Sequence, residues 1–231
     1  MKDILYDSHR KLSDLITDEP GLVHILQRVG IPLGFGDMSI AQVCSKHGVN
    51  ADFFLLLCNI YTHEHYVPEL ERILSIPMDQ LIPYLRLSHE YYVSKRLPHI
   101  ESHLHHIAEQ LPERAALIFL KFFEQYRREV VDHFQHEEKL VYPHVEALQQ
   151  GKADRSYSIG AFIDSHGNLE DKLSDLVLII FKYLPEQVTS DDAVDVVHDI
   201  LQLSSDLNRH SLIEEKVLVP YVKHLEKVVA R

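Results

Sequence analysis

The sequence has no tryptophan, two cysteines, three methionines and eight glycines in 231 residues. Two cysteines, Cys44 and Cys58, cannot build a disulfide framework, and they read as small buried or half-buried thiols. Few glycines and few clusters of turn residues argue against a many-stranded sandwich or barrel, which needs frequent turns. No apolar run approaches the roughly 20 residues of a membrane span. The start, Met1-Lys2-Asp3-Ile4-Leu5-Tyr6-Asp7, carries acids where a signal peptide needs a basic start and an apolar core, so a cytoplasmic location without membrane contact is expected. Positive charge is also scarce, since 23 Lys and Arg face 35 Asp and Glu for a net charge of −12. Such a chain gains no general electrostatic help against phosphate backbones, so nucleic acid is not an expected partner. What the chain has in excess is histidine, with 17 copies. Histidine is both the commonest metal ligand and the proton switch near neutral pH, so the positions of these residues decide what they do.

Val, Ile and Leu recur at three- and four-residue steps, which predicts helices nearly throughout. Residues 1–66 read as several short helices. Asp18-Glu19-Pro20 starts one, with Leu22, Ile25, Leu26 and Val29 as its apolar stripe and Gly30 as its stop. The stretch from Ile31 to Asp37 is a loop. Ser39 caps a helix through Lys46, and Asn50 caps another from Asp52 to about Thr62. A linker follows near Pro68–Pro77. Four long helical segments come next, over about 78–110, 113–149, 157–184 and 190–229. Their short connections force antiparallel neighbours, so the expected fold is all-α, an up-down-up-down four-helix bundle over 78–229 behind a small helical N-terminal domain over 1–70.

The bundle repeats itself. The run from His133 to Val145 matches the run from His210 to Val222 with identities at His133/His210, Glu137/Glu214, Glu138/Glu215, Lys139/Lys216, Pro143/Pro220 and Val145/Val222, each pair 77 residues apart. The same offset carries Ser88-His89 onto Ser165-His166. His89 to His133 and His166 to His210 are both 44 residues. His and Glu at i and i+4 share one helix face, about 40° apart around the axis and about 6 Å along it. In an antiparallel bundle four such faces converge, which brings His89, His133, Glu137, His166, His210 and Glu214 to one level. Burying these groups without a partner is very costly, and a metal cluster removes the cost. Four His and two Glu exceed one tetrahedral zinc. They suit two metals about 3.5–4 Å apart, each with two His and both Glu bridging. Imidazole and carboxylate at open, higher coordination favour iron, with manganese or zinc as substitutes.

Other residues invite attention. His103 shares a stripe with His89 but lies about 21 Å along the axis, so it cannot join the same cluster. The run His99, His103, His105 and His106 reads as a solvated face. His136 and His144 read as surface residues, as does the His63-Glu64-His65 group beside the linker. Glu138 and Glu215 are expected to face water beside Lys139 and Lys216. Tyr92 reads as a core tyrosine with a satisfied hydroxyl.

The paired His-x-x-x-Glu-Glu motifs and their spacing resemble the hemerythrin-like, or HHE cation-binding, domain over about residues 78–229. Four His and two Glu resemble the di-iron repair-of-iron-centres (RIC) proteins of that superfamily more than the oxygen carriers, which use five His, one Glu and one Asp. The resemblance implies that His89 and His166 are the single-His ligands and that His133 with Glu137 and His210 with Glu214 are the two-ligand pairs. It implies two non-haem Fe ions with an oxo or hydroxo bridge, and a response to nitric oxide or oxidative stress through iron donation or chemistry on O2, NO or peroxide. The alternative is a hemerythrin-like protein that binds or senses O2 or NO without catalysis. Expected partners are the small diatomic or peroxide ligand, damaged iron–sulfur proteins and a second copy of the chain. The N-terminal segment is similar to the small first domain of the RIC proteins, but Ile31 to Asp37 stands where those carry a Cys-Cys-Gly-Gly motif.

Overall fold

The computed structural model describes residues 5–152, 157–165, 169–184, 188 and 190–230. Among these there is no strand, only an isolated bridge between Lys11 and Ser39. The helices are α1 (Leu12–Asp18), α2 (Val23–Arg28), α3 (Ile40–His47), α4 (Ala51–Thr62), α5 (Leu70–Leu74), α6 (Leu81–Tyr91), α7 (Leu97–Ala108), α8 (Glu113–His136), α9 (Tyr142–Gln149), α10 (Ile159–Ser165), α11 (Leu169–Tyr183), α12 (Ser190–Ile213) and α13 (Val219–Val229). Single π-helical turns join α6 to α7, α8 to α9 and α12 to α13. The long segments therefore run 81–108, 113–149 and 190–229 without a break, close to the expected limits. No helix among the described residues is long and apolar enough to cross a membrane.

The contacts divide the chain into two compact units, one made of Met1–Ser88 with Ser211–Arg231 and the other of His89–His210. The second unit holds the bundle core. Its buried residues follow the helical period: Leu97, Ile100, Leu104 and Ile107 on α7; Phe119, Phe123, Tyr126, Val130 and Phe134 on α8; Leu173, Leu176, Val177 and Ile180 on α11; Val196, Ile200, Leu203 and Leu207 on α12. Steps of three and four keep each stripe on one face, and each fully buried side chain contributes about 1.5–3 kcal/mol.

The first unit is built by caps the sequence announces. Ser39 accepts from the Gln42 N–H at 3.3 Å while the Gln42 side chain accepts from the Ser39 N–H at 2.9 Å, a reciprocal capping box on α3. Gly48, at φ 69°, ends that helix in the left-handed conformation that glycine adopts without strain. Asn50 accepts from the Phe53 N–H at 2.9 Å and starts α4. Two expectations need correction. Pro20 opens a 3₁₀ turn, Pro20–Leu22, and α2 begins only at Val23. The linker near Pro68–Pro77 contains α5, whose apolar Ile73 is fully buried. Against α5 packs α13, and Lys216 donates to the Glu64 carbonyl at 2.6 Å. Both cysteines are buried and free, and burial pushes the Cys44 thiol up to about 11 and Cys58 well above its ordinary value.

Candidate metal centre

His89 sits near the end of α6, its ring stacked on Phe134 at 4.0 Å between centroids and 14° between planes. That stacking aims Nε2 at three groups from other helices. It lies 3.0 Å from Glu137 Oε2, 3.2 Å from His210 Nε2 and 3.0 Å from the Tyr142 hydroxyl. The other ring nitrogen, Nδ1, is 3.1 Å from Glu138 Oε1. His133 Nε2 is 2.8 Å from Glu137 Oε1, one helical turn apart as their spacing predicts. His89, Glu137 and His210 offer ligand atoms that all lie within 4.8 Å of one another, and all three are buried. Burial pushes the Glu137 carboxyl up, but the hydrogen bonds and positive charge of His133 and His89 outweigh it and hold the group well below the usual carboxylate range. The centre therefore carries an ionised carboxylate in a buried site, a combination that calls for a cation.

The π-helical turns explain how these side chains reach one place. Pro98, Pro143 and Pro220 each follow Tyr92, Glu137 and Glu214 by six residues. A proline inside a regular helix removes an i→i−4 bond and collides with the carbonyl four residues back, at a cost of about 3 kcal/mol. Here the residue before each proline bonds five residues back instead: Leu97 N–H to Tyr92 O, Tyr142 N–H to Glu137 O, and Val219 N–H to Glu214 O. In an α-helix residues five apart point about 140° from each other. The π bond reduces that angle, so Tyr142 turns back toward the face that carries Glu137. Such single π turns recur at functional sites.

Of the six residues predicted from the repeat, His89, His133, Glu137 and His210 come together. Glu214 follows His210 by one turn on the same continuous helix and is fully buried, as Glu137 follows His133. His166 lies outside the described residues. Two readings of neighbouring residues are corrected. Glu138 does not simply face water; it holds His89 Nδ1, because the π turn swings it inward. Lys139 donates to the Gln135 side chain and Lys216 to the Glu64 carbonyl. His144 is buried, edge-on to Tyr157 at 5.5 Å, because α9 continues the inward face of α8 past the proline. His136 is exposed as expected. Tyr92 is a core tyrosine whose hydroxyl donates to the Asp206 carbonyl at 3.2 Å, and its ring meets His210 edge-on. Tyr142 was not foreseen: its partner in the repeat is Val219, so matching the two halves hides it.

A cleft of about 200 Å³ lined by His133, His136, Glu137 and Phe162 opens onto the carboxylate. Drug-sized ligands need about 300 Å³ or more, so the cleft suits water or a small ligand. The donors, imidazoles and carboxylate carried on helices, fit a metal of the iron or manganese kind. His89 has the carboxylate on its far nitrogen that orients metal-bound imidazoles.

The family described as the hemerythrin HHE cation-binding domain matches residues 85–222. The match spans more than half of the sequence, and the chain belongs to that family. Neither a curated protein nor a solved structure matches the chain. Family and donor cluster agree that this is a helical metal-binding protein whose expected metal is iron.

Proposed function

We propose that the chain holds two iron ions through His89, His133, Glu137, His166, His210 and Glu214, with Glu137 and Glu214 bridging. The reading rests on one observation above all: His89 and His133 close at hydrogen-bond distance on the buried Glu137 carboxylate, and His210 meets His89 Nε2 at 3.2 Å, so residues from three helices converge there. Bound there, an iron pair supplies redox chemistry and open positions for a small ligand. The chain's own residues do the rest. His89 and His133 fix the carboxylate, Glu138 fixes His89, and the cleft beside Glu137 gives a small ligand such as O2, NO or peroxide a way to the centre. In the cytoplasm the protein then serves the response to nitric oxide or oxidants, including supply of iron to damaged iron–sulfur proteins, with residues 1–70 as a docking or dimerising domain. Reversible binding or sensing of O2 or NO is the second reading. The burial of both Cys44 and Cys58 favours it, because neither thiol is placed to hand over iron.

Elemental analysis and the visible spectrum of aerobically purified protein test the proposal. About two irons per chain with a spectrum of coupled iron are expected for a two-metal site. Less than one metal per chain after anaerobic iron reconstitution overturns it. Loss of iron to an apo cluster acceptor separates the repair role from ligand binding, which instead shows a spectrum that follows the ligand reversibly. Replacement Glu137→Ala lowers the iron content sharply, and full retention of two irons refutes its bridging role.

A further inference from the structure

A second histidine cluster stands apart from the centre. His99 and His103 occupy one face of α7 at i and i+4, the spacing by which helices offer two imidazoles to one zinc ion. Asp199, on α12, faces them. Its Oδ2 is 3.1 Å from His99 Nε2, and the rings of His99 and His103 are 4.7 Å apart. One ligand atom from each of the three residues lies within 4.8 Å of the others. The group is far from the first centre, since Asp199 precedes His210 by 11 residues, about 16 Å along the helix.

We propose that His99, His103 and Asp199 form a second metal site that takes one zinc-class divalent cation and staples α7 to α12. Zinc with bonds of about 2.0–2.1 Å sets its tetrahedral ligands about 3.3 Å apart. The His99–Asp199 separation already has that length, and half-buried His103 closes the remainder by a small side-chain rotation. Arg96 Nη2 donates to Asp199 Oδ1 at 2.9 Å, which holds the carboxylate and leaves Oδ2 directed at the histidines. That is the outer support metal-binding carboxylates normally have. Asp199 is 14% exposed and His99 51%, so the ion would sit at the rim with its fourth position on water. The alternative is an ion pair between His99 and Asp199 in which His103 has no part, and His103 is therefore the discriminating residue.

The test titrates full-length, iron-loaded protein with Zn²⁺ and counts bound zinc and iron after gel filtration. One zinc per chain is expected with the iron content unchanged. His103→Ala and Asp199→Asn are each expected to bind this zinc about tenfold more weakly or worse, the scale seen when even an outer partner of a metal is removed. His105→Ala, an exposed neighbour on α7, binds as the parent does. Zinc raises the Tm of the parent and leaves that of His103→Ala where it was. Absence of saturable zinc, or equal binding by the parent and His103→Ala, overturns the proposal. Iron analysis of the untitrated protein reports separately on the first centre, so a chain without iron that still binds zinc through His103 keeps this site and loses the other reading.

Discussion

The Tyr142 hydroxyl lies 3.0 Å from His89 Nε2, the nitrogen that also faces Glu137 and His210. This phenol brings a proton donor into a centre otherwise made of imidazoles and carboxylates. Tyr142→Phe removes one buried hydrogen bond. The metal-free protein is expected to lose about 1 kcal/mol, read by urea unfolding at unchanged m. Iron content stays near that of the parent while the visible spectrum shifts. Loss of all iron would make the hydroxyl essential to binding.

Glu138 acts on the metal through His89. Its carboxylate accepts from Nδ1–H and so keeps Nε2 directed at the centre. Glu138→Ala is expected to weaken metal binding about 10–100-fold with little change in helix content. Competition with a chelator of known affinity measures it. Glu215→Ala, the matched but exposed residue, serves as the control.

Pro143 imposes the π turn that returns Tyr142 to the side of Glu137. Pro143→Ala allows the regular i→i−4 bond to reform, which stabilises an isolated helix by about 3 kcal/mol. The expected outcome is a trade: thermal stability of the metal-free protein rises or holds while iron occupancy falls. Unchanged occupancy would detach the π turn from metal binding.

The thiols should be silent in the folded protein. With the Cys44 pKa raised to about 11, its thiolate is about one part in a thousand at pH 8, and almost none of the side chain is exposed. The sign is that of a neutral thiol favoured by burial, so reactivity grows as pH rises toward that value. A thiol reagent at pH 8 is expected to titrate neither Cys44 nor Cys58 until denaturant is added.

Much of this was legible in the sequence. Ser39 and Asn50 marked the starts of α3 and α4, because a capping side chain acts within three residues of its own position. The limits of the long helices followed from apolar steps of three and four. Glu137 and His133 were readable as a pair, since i and i+4 on a helix need no tertiary knowledge. The proline at the same place in both halves was visible too, though its consequence was not. Helix α5 escaped notice because its five residues carry too little periodicity, and burial of Ile73 is what makes it a helix.

Local and repeating interactions thus determined the all-helical class, the paired His–Glu motifs and the family, because each depends on residues a few positions apart or on an offset that needs no geometry. Tertiary structure decided what surrounds them. The contact of Glu138 with His89, the arrival of Tyr142 at His89, the burial of His144 and the facing of Asp199 toward His99 and His103 all join residues from different helices or from the two sides of a π turn. Neither spacing nor repetition encodes those meetings. They arise when the helices pack.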